Sequence, residues 1–491
     1  VRTIVSRPEA AEPRVESGSA TEPETRGIEF VRDQDRRGRP RDLFAVWAAP
    51  SVSVLNLTVG ATLIVLGLEL WQAVLVVLAA SSLWILTGIV ATSGPAAGTA
   101  GTVITRALFG VVGNKVIVAF SGWLISAVYL ALNWVASAFI GAELLARFGF
   151  DDPTLAPIVV TLGVACVTIV VAVYGHGLIL RSYGVISTVL VAVFLIVTAF
   201  IMPTVDWGYR AAEPLSGVAL WSAVTIGFTI LASSPLSFTN SPDMARYLPR
   251  ETKPWRVVAA TALGGALPSA FFAIVGALLA TGIGVAEVAG GMEGALLDTL
   301  PVWLVPLFVI GVILNTIALN GMTTYTASMA LQAIGIPIRR IPAAVVVGVI
   351  GAALTVYFVL AGSLLDAVNL MLQLLVVVAA PFMAVFATDV LLRRGRYDAL
   401  DLFDERRGGP FWFAGGWKPA GMIAIVVGGF ASAMCVVTSL WVGPVAAAFG
   451  HVDLSVPAGA ITGSALYAIL TRAARRRPTN TSAPARLKEL A

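Results

Sequence analysis

The side chains able to do chemistry in this sequence lie inside apolar runs. The stretch at 47–60, WAAPSVSVLNLTVG, sets Pro50 beside Ser51, Ser53, Asn56 and Thr58. The stretch at 232–242, ASSPLSFTNSP, surrounds Pro235 with Ser233, Ser234, Ser237, Phe238, Thr239 and Asn240. AVYLALNWVASA carries Tyr129 and Asn133 at i and i+4, on one helix face. ILNTIALNGMTTYTASMALQ adds Asn315, Asn320, Thr323, Thr324 and Gln332, with Asn320 and Thr324 again at i and i+4. Hydroxyls and amides donate and accept without charge, and an aromatic plate adds apolar contact. Such a set suits reversible binding of a small flat polar molecule. Proline removes a backbone donor, so each Pro-broken helix frees N–H and C=O groups for a ligand or ion. Bond-making chemistry has little support. His176 and His451 are the two histidines, and Cys166 and Cys435 sit in apolar runs with no metal-ligand spacing.

These groups are placed by a chain built for a bilayer. It has 491 residues, 58% hydrophobic and 12% charged, with mean hydropathy +0.88. Soluble domains carry about 25% charged residues. Apolar runs at about 44–70, 72–93, 117–145, 156–175, 182–203, 217–239, 257–283, 302–333, 340–361, 366–392, 418–440 and 454–473 are each near or above the length of a membrane span. They predict twelve transmembrane helices. Loop charge alternates across them. One side collects Arg106, Lys115, Arg181, Arg246, Arg250, Lys253, Arg256, Arg339, Arg340, Arg393, Arg394 and Arg396. The other has Arg147 and Arg210 among acids such as Asp151, Asp152, Glu213 and Asp298. The positive-inside rule then places both termini in the cytoplasm of a multi-pass plasma-membrane protein.

Pro50 and Pro235 fall five spans apart, and an odd number reverses topology. That is the arithmetic of an inverted repeat, whose interrupted helices meet near the membrane midplane. The expected organisation is a disordered cytoplasmic tail at 1–42, a first unit of helices 1–5 at 43–203 and a second of helices 6–10 at 204–393. Helices 11–12 follow at 394–473, then a basic tail at 474–491. Polar side chains also bond helix to helix inside membranes, and Tyr129, Asn133, Asn320 and Thr324 fit either role. Asp243 and Arg246, at i and i+3, read as an exposed ion pair of little weight. Glu69 and Asp389 fall at span ends, where snorkelling or pairing accounts for them.

Several segments together resemble the nucleobase:cation symporter-1 family of purine–cytosine permeases and hydantoin or allantoin transporters. GTAGTVITRALFGVVGN at 98–114 is similar to its glycine-rich segment, and 47–60 to its first-helix pattern. SPDMARYLP is similar to its signature after helix 6, with Met244 in place of an aromatic. PFMAVFATDVLLRRGRYDALDLF at 381–403 is similar to its Pro-to-Asp-to-Arg segment. The resemblance implies an all-α, five-plus-five inverted-repeat bundle of the leucine-transporter type with two extra helices. It implies alternating access, with planar heterocycles bound between helices 1, 3, 6 and 8. Matched position by position, Tyr129 takes the helix-3 aromatic place, Asn133 an amide place and Asn320 the helix-8 Asn. Ser234 falls near the helix-6 aromatic place, which Phe238 would have to fill. With Ser51 and Asn56 these are the expected substrate-binding residues.

Sodium-coupled relatives resemble one another in two adjacent hydroxyls before that helix-8 Asn. Here Ala318 and Leu319 precede Asn320, and Leu314 and Asn315 stand in the other register. Thr323 and Thr324 lie one turn on and remain the candidate sodium ligands. A proton is therefore the favoured coupling ion, with no other cofactor. The expected function is import of a cytosine, purine, uracil, allantoin or hydantoin-class heterocycle by ion symport, not enzymatic, with no nucleic-acid partner. An amino-acid or amine symporter of the same fold is the alternative.

Overall fold

The computed structural model describes residues 27–284, 288, 292–361 and 364–476. The expected tails at 1–26 and 477–491 lie outside them. Among the described residues the chain is helical, with strand pairing confined to two isolated bridges. We label the long helices in chain order. They are α1 (Pro40–Ser51), α2 (Val54–Val65), α3 (Leu70–Ala97, three short helices end to end) and α4 (Val111–Arg147). Then come α5 (Leu155–Tyr174), α6 (His176–Ile201), α7 (Gly217–Ser237) and α8 (Pro254–Ile283). α9 (Leu304–Ile334), α10 (Arg340–Ala361), α11 (Leu364–Arg393), α12 (Pro419–Cys435) and α13 (Ser455–Arg476) complete the series.

Nine of these are long and apolar enough to cross a bilayer among the described residues, and the bent pair α1–α2 makes ten. Of the twelve spans expected, the last two correspond to shorter or more polar helices. α12 has 17 residues, and α13 carries Thr471 and Arg472 in its final turns. Large apolar side chains such as Trp71, Trp221, Leu263, Val349 and Phe430 face outward, as a lipid-facing surface requires.

Packing follows the repeat. Numbering α1–α2 as the first span, spans 1 and 7 pair as 6 and 2 do, and 1 against 5 as 6 against 10. Span 3 crosses 8, and span 4 crosses 9. Each contact thus has its counterpart when spans 1–5 are exchanged with spans 6–10, which is an inverted repeat in three dimensions. α12 and α13 pair with each other and lean on α11, outside the two units. One core knot shows the density: Phe194 of α6 meets Phe272 of α8 at 5.2 Å and Phe308 of α9 at 5.5 Å between ring centroids.

The first span breaks where the sequence says it should. Pro50 donates nothing, Val52 leaves helical geometry, Ser53 turns extended, and Ser53 restarts the helix by accepting from the Leu55 N–H at 3.1 Å. The two halves bend by 57°. After Pro235, α7 runs to Ser237, and Phe238 leaves helical geometry before a short helix at Ser241–Ala245.

One expectation is corrected. Residues 27–42, assigned by composition to the disordered tail, are held by defined contacts. The Val31 N–H donates to Gly98 O at 2.8 Å, and Thr99 donates to Ile28 O at 2.7 Å. Buried Arg36 donates to Val31 O and Pro95 O, both at 2.9 Å, and Arg246 donates to Gly27 O at 2.9 Å. This strap, 27–38, lies across the loop after α3 and the loop after α7. Its cohesion comes from arginines filling backbone carbonyls, so low apolar content did not forbid it.

Candidate functional site

A cavity opens between the break in the first span, α4, the end of α7 and α9. Its wall includes Ser51, Ser53 and Asn56 from the first span, Tyr129 and Asn133 from α4, Ser233, Ser234, Ser237, Phe238 and Asn240 from α7 and beyond, and Leu319, Thr323 and Thr326 from α9. Gly101, Thr102 and Thr105 of the 98–114 segment, with Ser269 of α8, complete its polar part. A π-helical turn at Ala119–Leu124 widens the start of α4 beside it, and Ser121 and Gly122 of that turn line the cavity.

The amides are oriented by their own hydrogen bonds. Asn133 spends its Nδ2 on Tyr129 O at 2.9 Å and on Asn320 Oδ1 at 3.2 Å. Asn56 spends its Nδ2 on Ser51 O at 2.7 Å. Each is left with an amide oxygen as its acceptor, suited to ring N–H groups. Opposite Tyr129, Ser237 donates to its hydroxyl at 3.4 Å, and Ser234 stands one turn earlier. Phe238 also lines the cavity. Its ring belongs to an aromatic cluster, stacked on Trp84 (5.3 Å, 23°) and edge-on to Trp47 (5.0 Å, 74°).

The structure brings Ser51, Asn56, Tyr129, Asn133, Ser234, Phe238 and Thr323 to one cavity. It does not bring Asn320 or Thr324 there. Asn320 is fully buried behind Asn133, donating to Leu130 O at 3.0 Å. Thr324 shares that buried face, so the two expected ion ligands look in different directions. Sequence reasoning missed Thr102, Ser269 and Thr326. Asn240, named among the polar groups around Pro235 but not among the expected substrate-binding residues, lines the cavity and donates to Thr326 Oγ1 at 2.9 Å. A hydroxyl directly after Pro268, inside an apolar helix, was the signal for Ser269.

The break in the first span is already furnished. Ala48 O accepts from the Val52 N–H at 3.2 Å. The next two carbonyls, of Ala49 and Pro50, accept from Asn315 Nδ2 at 2.9 and 3.1 Å, and Ser51 O takes Asn56. Asn315 thus reaches from α9 to hold the carbonyls that the break leaves without helical partners.

Asp243 and Arg246, expected as an exposed pair, are both fully buried. Asp243 accepts from the Gly101 N–H at 2.7 Å, while Arg246 bonds Gly27 O and the Tyr247 and Tyr325 hydroxyls. Farther out, Glu69 meets Arg210 at 3.1 Å, and Asp389 meets Arg393 at 2.8 Å.

A family profile described as permease for cytosine/purines, uracil, thiamine and allantoin matches residues 30–459. The chain belongs to this permease family. The cytosine/purine permease assignment makes it a multi-pass membrane transporter for heterocycles and not an enzyme. A relative, the putative purine-cytosine permease YxlA of Bacillus subtilis (strain 168), is 25% identical over 469 residues, covering 91% of this chain and 96% of its own. Among solved structures, Mhp1, a nucleobase-cation-symport-1 family transporter in a closed conformation with bromovinylhydantoin bound, superposes with a TM-score of 0.69. The match is at 19% identity and covers 92% of this permease and 96% of Mhp1. The inward-facing conformation of Mhp1 gives 0.67 over the same shares. A manganese transporter of Eremococcus coleocola gives 0.52 at 13% identity, covering 92% and 99%. These likenesses establish the inverted-repeat fold.

Proposed function

We propose that this permease imports a neutral planar heterocycle of the cytosine, uracil, purine, allantoin or hydantoin class. The observation that carries this reading is the cavity wall. Among the described residues it presents amide oxygens, hydroxyls and the Tyr129 ring, and no charged side chain. A zwitterionic amino acid or an amine needs a counter-charge or free helix ends. The carbonyls of the first break are already taken by Asn315 and Asn56. Ring N–H groups find acceptors in Asn133 and Asn56, and ring carbonyls find donors in the Ser234 and Tyr129 hydroxyls. The test is uptake of labelled cytosine, uracil, hypoxanthine, allantoin and hydantoin in cells expressing the chain, each competed by the others and by amino acids. Competition by amino acids alone overturns the reading.

The same furnishing favours a proton over sodium as the driving ion. Sodium in such folds binds unwound carbonyls and hydroxyl oxygens. Here the carbonyls hold an amide, Ala318 and Leu319 bring no hydroxyl, and Thr323 and Thr324 face apart. Uptake is expected to persist when choline replaces sodium and to collapse with a protonophore. Strict, saturable sodium dependence at fixed pH and potential overturns this part. Loop charge supports insertion in the plasma membrane with both termini in the cytoplasm.

A further inference from the structure

Three aspartates are buried among the described residues: Asp243, Asp389 and Asp453. Two have complete hydrogen-bond shells. Asp389 accepts from Arg393 at 2.8 and 2.9 Å, from Tyr397 at 2.9 Å and from Tyr467 at 2.5 Å. Asp453 accepts from Thr229 at 3.1 Å, from the Val437 and Ser455 N–H groups at 2.9 Å each, and from the Ser455 hydroxyl at 2.5 Å. Asp243 differs. Its Oδ1 takes the Gly101 N–H, and its Oδ2 is buried with no hydrogen-bond partner. An ionised carboxylate is expensive to hold that way. A protonated one is neutral and keeps the Gly101 bond through Oδ1.

Its position matters as much as its protonation. Gly101, Thr239 and Asn240 line the cavity, and the Asp243 N–H donates to Asn240 O at 2.9 Å. On its other side, the loop that carries Asp243 is covered by the strap, through Arg246 to Gly27 O and through the Gly38 N–H to Tyr247 O at 3.0 Å. Asp243 therefore stands in the partition between the cavity and the strap. Few charges face it. Arg246 comes from its own loop. The end of α3 and the short helix Gly101–Ile104 bring no titratable residue. α1 brings Arg41 and Asp42 in its exposed first turn, and the strap brings Arg36, turned onto Val31 and Pro95 carbonyls. Burial pushes the Asp243 carboxyl up to about 7, with the Arg246 charge and the Gly101 bond pulling the other way.

We propose that Asp243 carries the coupling proton. With the cavity open, Oδ2 gains an O–H bond as a hydronium ion loses one. The partition closes over the neutral acid. When the strap side parts, the O–H bond breaks and the proton returns to water there. No electrons change hands. The inference rests on the proton-coupled reading above, and the tests separate the two.

In reconstituted vesicles the probes are labelled cytosine, uracil, hypoxanthine, allantoin and hydantoin. If only the protonated form binds, wild-type affinity weakens about tenfold per pH unit above about 7. Asp243→Asn keeps an oxygen for Gly101 and cannot titrate. It is expected to bind at all pH with the affinity that wild type shows at low pH, and to lose accumulation driven by a pH gradient. Accumulation by wild type that follows sodium and ignores the pH gradient overturns both readings. Accumulation still driven by pH in Asp243→Asn overturns the assignment of Asp243 alone. Should that variant not fold, wild type decides: an affinity that is flat from about pH 6 to 9 overturns the proposal. A ligand-free measurement adds to it. A carboxyl raised from about 3.9 unfolded to about 7 folded binds more protons when folded, so its stabilisation is lost as pH rises through that window. The wild-type Tm should fall across it relative to Asp243→Asn, and parallel profiles overturn the neutral buried acid.

Discussion

At the scale of single residues, the two asparagines that meet across α4 and α9 divide the labour. Asn133 faces the cavity and Asn320 holds it from behind at 3.2 Å. Asn133→Ala should weaken heterocycle binding by about 1–3 kcal/mol while leaving a folded protein, measured by titration of purified carrier. Wild-type affinity in that variant removes Asn133 from the site. Asn320→Ala should act mainly on stability, lowering Tm, because it strips partners from Leu130 O and Asn133 in a dry contact. The sequence placed Asn320 and Thr324 on one face correctly. It did not say which face meets the cavity, because i, i+4 spacing fixes relative and not absolute rotation. Leu319, Thr323 and Thr326 are the residues that look inward. Asn315 was legible as a costly polar group, but its grip on two carbonyls in another helix was not. Asn315→Asp should set a carboxylate against those carbonyls, lower Tm in choline chloride and recover part of the loss in sodium chloride. The wild type should show no such difference. Equal behaviour of variant and wild type would show that the carbonyls are not poised for a cation.

At the scale of elements, the broken span is fixed by its neighbour. Both halves, α1 and α2, lie along α8, and two glycines permit the approach of α2. A Cβ on Gly60 would stand 1.8 Å from Ala273 O, and one on Gly276 1.9 Å from Leu57 O. The backbones touch through reciprocal small residues, as membrane helices often do. Gly60→Ala and Gly276→Ala should each destabilise by at least about 1–3 kcal/mol, read as lower Tm and folded yield in detergent. Gly163→Ala, where a Cβ meets open space, should change little. Equal Tm in all three variants would deny the close contact. Pro50 and Pro235 made the interruptions readable in advance. The role of Gly60 was not readable, since a helix sequence carries no mark of the backbone that will pass beside it.

At the scale of the whole molecule, the repeat was legible from the parity of two prolines, and the exchange of contacts between the units bears the reading out. The strap was not legible. Its residues are polar, and its order depends on carbonyls at Pro95 and Gly98 and on Arg246, all far along the chain. Arg36→Ala removes two hydrogen bonds to carbonyls and should expose 27–38 to limited proteolysis several-fold faster than in wild type. Unchanged cleavage would mean that the other contacts suffice.

The strap also bears on the order of synthesis. Residues 27–38 leave the ribosome before α1, yet Arg246 and Tyr247, which hold them, follow seven helices later. The strap must therefore wait for its partners, and the docking that seals this face cannot precede translation of the second unit. Nascent chains arrested before residue 240 should leave the strap open to protease, and chains arrested well beyond residue 260 should begin to protect it.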